Sequence, residues 1–245
     1  MEPSPQMIEN MMTVIRLLRL YHRHQVLGLE NIPRKGPGIL VCNHSFATYD
    51  MSLLFCVIYD RLKRLPRSLA DHLFFKIPLL GELVEASGAR EGTPENARGL
   101  LEAQELVSVA PGGMREALRP SQERYQVLWE HRKGFVKLAL ETQTPIILAF
   151  CPKADDLYDV YSSPLTQWAY QTFKIPVPLI RGLGPTFIPK PIALTHFIDK
   201  PIQPPLVTKD KRRRAGQLDR FHGEVLKKAQ ELMARAVAHR GASSW

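Results

Sequence analysis

Residues 39–50 read Ile39-Leu40-Val41-Cys42-Asn43-His44-Ser45-Phe46-Ala47-Thr48-Tyr49-Asp50. An unbroken apolar run gives way to an amide and an imidazole, and a carboxylate follows at Asp50. A short apolar run that stops at polar residues reads as a strand buried on both faces, the kind that parallel sheets use. The mostly apolar segment 49–59 is long enough for a helix. The layout then recurs. Leu106-Val107-Ser108-Val109-Ala110 runs into Pro111-Gly112-Gly113-Met114-Arg115-Glu116. Thr93 and Pro94 supply a cap and a first-turn proline for a helix between these two strands. Phe135, Leu138 and Ala139 mark another helix, and 145–150 the next strand. Strand, helix, strand in this order implies a parallel sheet with right-handed crossovers.

The rest of the chain fits one domain. A late strand is expected at 193–198. From 218 to 237, Leu218, Phe221, Val225, Leu232, Met233 and Ala236 follow helical spacing and predict a helix packed on the sheet. The expectation is an α/β fold: a single domain with a mostly parallel central sheet flanked by helices. An N-terminal amphipathic helix precedes it, and a C-terminal helix closes it. In domain terms, 1–25 is a membrane-interface helix and 26–245 the main domain. In 7–21, Ile8, Met11, Met12, Ile15, Leu18 and Leu20 interleave with Arg16 and Arg19, and Arg23 follows. Such a helix lies in a membrane interface with arginines at the phosphates, or docks on its own domain; the sequence leaves both open.

Composition narrows the partners. The 245 residues are 44% hydrophobic and 23% charged, as in folded globular proteins. A net charge of +9 favours an anionic partner: nucleic acid, anionic lipid or a phosphorylated cofactor. Basic residues gather at Arg61, Lys63, Arg64 and Arg67, and at Lys209, Lys211, Arg212, Arg213 and Arg214. Neither group carries interleaved aromatics or a recognition motif, so nucleic acid ranks last. The three cysteines, Cys42, Cys56 and Cys151, have neither disulfide nor zinc spacing and fit a reducing compartment. No signal peptide and no apolar run of bilayer-spanning length is evident.

The chemistry gathers at strand ends. Ligands of open α/β sheets bind outside the carboxyl ends of the strands. His44 stands at one such end as a candidate general base, and the Asp50 carboxylate is placed to accept the N–H of the ring's far nitrogen and fix the tautomer. Gly112 and Gly113 let backbone N–H groups approach a ligand, and Arg115 adds a fixed cation. Arg90, in Ser87-Gly88-Ala89-Arg90, repeats the theme of glycine followed by arginine. No Gly-x-Ser-x-Gly elbow, phosphate-binding loop or dinucleotide fingerprint is present. Cys42 with His44 offers an alternative nucleophile pair, although a cysteine in an apolar strand is usually just buried.

Together these residues resemble the glycerolipid acyltransferase superfamily, the lysophosphatidic acid acyltransferase-like enzymes. The resemblance runs from about Val26 to Pro205. It rests on Asn43-His44 with Asp50, on Gly88-Ala89-Arg90, on Pro111-Gly112-Gly113-Met114-Arg115, and on Pro145-Ile146-Ile147. The entry segment Leu27–Pro33 with Gly36-Pro37 also fits. Two features depart from the common pattern. Five residues rather than four separate His44 from Asp50, and Gly112 stands where the third motif usually has glutamate, with Glu116 after the arginine. With Arg132-Lys133-Gly134-Phe135, they look like the branch of transmembrane protein 68 and related mono- and diacylglycerol acyltransferases.

The resemblance implies transfer of an acyl group from acyl-CoA or acyl carrier protein to a lysophospholipid, monoacylglycerol or diacylglycerol hydroxyl. No metal or redox cofactor enters. His44 and Asp50 are catalytic. Asn43, Arg90, Gly112, Gly113, Arg115 and Glu116 surround the substrate, with Gly112–Gly113 at the oxyanion and the arginines at coenzyme A phosphates or another part of the site. A peripheral position on the cytoplasmic face of a membrane follows. The alternatives are a Cys42/His44 thioesterase and a non-catalytic lipid-binding protein.

Overall fold

Alternate residues of a strand point to opposite faces, and the strand at 38–42 is apolar on both. Ile39 and Val41 enter one core cluster, Leu40 and Cys42 another. Helices must therefore cover both faces. A computed structural model describes residues 4–76, 81, 84–85, 87–129, 131–161, 179–208 and 210–239. The strands are β1 (Gln25–Leu27), β2 (Gly38–Cys42), β3 (Arg67–Ala70), β4 (Arg90–Glu91), β5 (Leu106–Val109), β6 (Ile146–Phe150), β7 (Asp159–Tyr161), β8 (Leu179–Arg181) and β9 (Thr195–Ile198). Seven of them form one sheet in the order β1-β9-β6-β2-β5-β3-β4, and β7 and β8 pair separately. The large sheet is parallel except where β9 meets β6.

The helices are α1 (Pro5–Tyr21), α2 (Tyr49–Leu62), α3 (His72–Lys76), α4 (Pro94–Glu102), α5 (Gly113–Ala117), α6 (Gly134–Thr142) and α7 (Lys211–Ala238). Thr93 caps α4 by accepting from the Asn96 N–H, with Pro94 in its first turn, as its sequence requires. Helix α2 covers one face through Met51, Leu54 and Ile58. Helices α4, α6 and α7 cover the other through Leu101, Phe135, Val136, Phe221, Val225 and Leu232. Strands β2 and β5 are neighbours, yet α2 follows β2 on one face and α6 lies beyond β5 on the other. The chain parts at their carboxyl ends, which is where such sheets open a crevice.

Helix α1 packs on α2. Met12 and Ile15 are buried against Leu53, Cys56 and Leu157. At about 1.5–3 kcal/mol per buried large apolar side chain, this contact alone holds the helix down. The arginine flank is spent on the same contact: Arg16 pairs with Asp60 at 2.7 Å and Glu9 at 3.3 Å, and Arg19 lies 3.8 Å from Asp60. Of the two possibilities the sequence leaves open, this is the docking of α1 on its own domain, with Arg16 and Arg19 engaged by the protein's own acids. The other side of α1 is apolar and open, with Val14, Leu17 and Leu20 at 59, 63 and 74% exposure.

In the basic group at 61–67, Arg61 and Lys63 are exposed, while Arg64 and Arg67 are half-buried and engaged with the protein. Arg64 donates to the carbonyls of Pro33, Gly36 and Gln104 at 2.7–2.9 Å. Arg67 reaches Glu105 at 3.6 Å, and Lys63 lies over the Tyr59 ring. Lys209 and the apolar segment 77–80 lie outside the described residues.

Candidate active site

The loop after β2 carries the base. A 3₁₀ turn, Phe46–Thr48, takes up the extra residue before α2, and Thr48 closes it in the left-handed region at φ +52°. Asp50 is thereby carried into the first turn of α2 and fully buried. The expected bond from His44 to Asp50 does not form. The His44 ring nitrogen Nδ1 meets the Ser45 carbonyl at 3.0 Å, and the Ser45 hydroxyl donates to Asp50 Oδ1. Ser45 stands between base and carboxylate. A carbonyl can only accept, so His44 carries its proton on Nδ1 and leaves the Nε2 lone pair bare. Burial pushes the His44 pKa below 6.5, against the Ser45 bond and the Asp50 charge, so the neutral base is favoured.

Two expected substrate contacts are struts instead. Asn43 is 1% exposed, accepts the Cys151 N–H at 2.8 Å, and donates to the Cys151 carbonyl at 3.3 Å. Its amide ties the end of β2 to the end of β6. Glu116 is equally buried and accepts the backbone N–H of His44 at 2.9 Å and of Leu128 at 3.0 Å. Burial pushes its pKa up, while Arg119 and those two N–H groups pull it down. A Cβ at Gly112 would overlap the Glu116 side chain, so only glycine fits beside it. The Asn43 amide and both Glu116 carboxylate oxygens thus bond main-chain groups of the protein itself.

The glycine turn lies beside His44, since β5 pairs with β2. Gly113 adopts φ +51° and donates its N–H to Ala110 at 3.1 Å. Only the Gly112 N–H of the pair therefore remains for an oxyanion. Arg115 is tied to Glu123 at 2.7 Å. Arg132 is the cation at the turn: it is exposed, donates to the Gly112 carbonyl at 2.9 Å, and lowers the His44 pKa by its charge. Arg90 does not end a strand but opens β4, three strands from β2, roughly 14 Å at the usual strand spacing. Its place is on the same edge of the sheet, remote from His44.

Sequence reasoning missed Arg119, Asp155, His24 and His196. Buried Arg119 donates to the carbonyls of Glu116, Gln126 and His44, and lies 3.5 Å from Asp155 Oδ2. Burial raises the Asp155 pKa to about 6. His196 Nε2 approaches Asp50 Oδ2 at 3.3 Å. Among the described residues, Asp50, Cys151 and His196 are the one group of metal-ligating type, their donor atoms within 4.8 Å of one another. Cys42 is wholly buried and bonds Ser108 at 3.9 Å; burial and Asp50 push its pKa up, so it offers no thiolate.

The mostly parallel sheet with helices on both faces defines an α/β domain that carries a histidine, its pKa lowered by burial, at a strand's carboxyl end. The description "Acyltransferase" matches residues 23–149, more than half of the chain, and the chain belongs to that family. Bovine and human proteins described as a "DGAT1/2-independent enzyme synthesizing storage lipids" are each 31% identical over 185 residues, 75% of this chain. The match takes in 53% and 55% of those proteins, so the chain spans about half their length. The crystal structure of the 1-acyl-sn-glycerophosphate acyltransferase PlsC from Thermotoga maritima shares the fold. Its TM-score is 0.56 at 16% identity, over 91% of this chain and 78% of that one. No helix among the described residues is long and apolar enough to cross a membrane.

Proposed function

We propose that this chain transfers a fatty acyl group from acyl-CoA or acyl carrier protein to a glycerolipid hydroxyl. One observation carries the reading. The ring of His44 is fixed by the Ser45 carbonyl with its Nε2 lone pair free, just past the carboxyl end of β2 and beside β5. Nε2 takes the acceptor's hydroxyl proton as the oxygen attacks the thioester carbonyl. The tetrahedral oxyanion faces the Gly112 N–H. Collapse breaks the carbon–sulfur bond, and the leaving thiolate takes the proton from His44. The step needs no acyl-enzyme and no redox or metal chemistry. Arg132 is placed for a donor phosphate.

The named activity of the bovine and human relatives favours a neutral acceptor, monoacylglycerol or diacylglycerol, over a lysophospholipid. Such acceptors reside in bilayers, and the open apolar side of α1 suits a peripheral position on the cytoplasmic face. The test is a panel of lysophosphatidate, lysophosphatidylcholine, monoacylglycerol and diacylglycerol with labelled long-chain acyl-CoA. Turnover of a neutral acceptor supports the reading. No transfer to any acceptor, from a folded protein, overturns it.

A further inference from the structure

Asp50 has a second side, used by nothing in the mechanism above. Its Oδ1 receives the Ser45 hydroxyl, while Oδ2 faces His196 Nε2 at 3.3 Å, and both residues are wholly buried. The contact is a close approach of charge and ring nitrogen rather than an aligned hydrogen bond, and neither atom has a hydrogen-bond partner in the structure. Behind His196 the chain of contacts continues. His196 Nδ1 meets His24 Nε2 at 2.8 Å, and His24 Nδ1 receives the Arg19 Nε–H at 3.3 Å. Arg19 lies in the last turn of α1, His24 just after it, and His196 in β9. Three elements distant in sequence thus converge on one carboxylate.

The direction of every link follows from its first member. A guanidinium N–H can only donate, so His24 Nδ1 must be an unprotonated acceptor. The proton of His24 then sits on Nε2 and points to His196. His196 Nδ1 must accept it, which leaves the His196 proton on Nε2, the nitrogen that lies 3.3 Å from Asp50 Oδ2. No other assignment satisfies all the contacts with two neutral rings. Burial supports this, pushing the His24 pKa down to about 2.

We propose that Arg19, His24 and His196 form a one-way relay, hydrogen-bonded from Arg19 to His196 and closed by the 3.3 Å approach of His196 Nε2 to Asp50, that positions Asp50 from α1. His196 is a positioning residue: it holds the Asp50 carboxylate so that Ser45, and through it the His44 ring, keeps its place. The relay makes α1 part of the site's support as well as a cover for its core. The catalytic consequence rests on the acyl-transfer reading; the tautomers do not.

Two measurements on the full chain test it. Long-range ¹H–¹⁵N correlation spectra at pH 7.5 report the tautomer of each histidine. The expected result is Nε2–H for both His24 and His196, with a mixture appearing at His24 in Arg19→Met. An Nδ1–H or doubly protonated ring at either position in the wild type overturns the relay. So does one equivalent of tightly bound zinc in the purified protein, because a metal shared by Asp50, Cys151 and His196 would take Nε2 itself. The second measurement is kinetic. His196→Ala should lower kcat about tenfold, the scale of one hydrogen bond, with KM unchanged. His196→Gln retains an N–H toward Asp50 and should recover most of the rate at a melting temperature no higher than that of His196→Ala. Equal kcat in all three overturns the positioning role. A wild type without turnover would sink the proposed reaction and leave the tautomer result standing.

Discussion

The Glu116 carboxylate holds the backbone N–H of His44 at 2.9 Å, although 72 positions separate the two in sequence. Its other oxygen holds Leu128, and Arg119 closes the group from behind by bonding the carbonyls of both His44 and Glu116. The base is therefore positioned through its main chain as well as its ring. Removing the carboxylate strands two buried N–H groups, each at about 1–3 kcal/mol. Glu116→Ala should lose about 2–6 kcal/mol of unfolding free energy in urea and most of its turnover, whereas Glu116→Gln, which keeps one acceptor oxygen, should lose less. Wild-type stability in Glu116→Ala would contradict the arrangement.

Gly112→Ala addresses the same contact from the other side. The added methyl group must displace Glu116, so the variant should be both less stable and slower. Because the two changes act on one contact, the double variant Gly112→Ala/Glu116→Ala should be less impaired than the sum of the singles. Strict additivity in urea melts would mean that Gly112 matters for another reason.

His44→Ala should lower kcat about 10²–10⁴-fold, the usual contribution of a general base, with little change in melting temperature. The pH profile carries a sign. The base works when neutral, and burial lowers its pKa, so the acid limb of kcat/KM should have its midpoint below 6.5. A limb centred above 6.5 would indicate a different base or an imidazolium held by Asp50.

The core of this architecture was legible because it is written in continuous apolar runs. Strands β2, β5 and β6 each read through without a polar break except Ser108, and Asp50 falls at the start of α2 as its sequence suggests. The peripheral strands were not legible. Arg67–Ala70 and Arg90–Glu91 are short and only half-buried, so no apolar periodicity marks them. Site roles failed where spacing was taken for contact. Asn43 and Glu116 sit beside the motif in sequence, yet each turns inward to satisfy main-chain groups of another segment. The Asp50 bond to His44 failed because Ser45 takes both partners, its carbonyl the His44 ring and its hydroxyl the Asp50 carboxylate. His196 left one weak signal, a polar side chain at an inward position of the strand Thr195–Ile198, flanked by neighbours that are only half-buried.

Arg132 stands at the glycine turn, the place expected of Arg115. Arg115 is paired with Glu123, while Arg132 is exposed at the glycine turn. Arg132→Ala should raise KM for the acyl donor several-fold and leave kcat nearly unchanged, as loss of uniform binding does. Arg115→Ala should do less. The measurement is a donor titration at saturating acceptor, repeated with the acceptor varied. A larger effect from Arg115 would return the phosphate contact to the position first expected.

Helix α1 presents two apolar sides, and they require different tests. Deleting it would uncover Leu53, Cys56 and Leu157, which Met12 and Ile15 now cover, so a truncated protein would be destabilised whatever its relation to membranes. Changes on the open side avoid that. Leu17 and Leu20 are exposed, and Tyr21 reaches the Pro189 carbonyl at 2.8 Å, which brings the exposed Phe187 and Ile188 near the end of the helix. These side chains form a candidate apolar rim. If the rim inserts into the interface, each leucine contributes on the order of 1.5–3 kcal/mol. Leu17→Glu/Leu20→Glu should therefore weaken liposome co-sedimentation by at least about tenfold, since 1.4 kcal/mol corresponds to that factor. The melting temperature should hold, because neither side chain is in the core. High salt should alter binding little, because Arg16 and Arg19 are engaged with the protein's own acids. Activity on bilayer-embedded acceptor should fall more than activity on detergent-dispersed acceptor. Unchanged sedimentation of the double variant would place the membrane contact elsewhere on the molecule, and binding abolished by salt would show that charge rather than apolar insertion governs it.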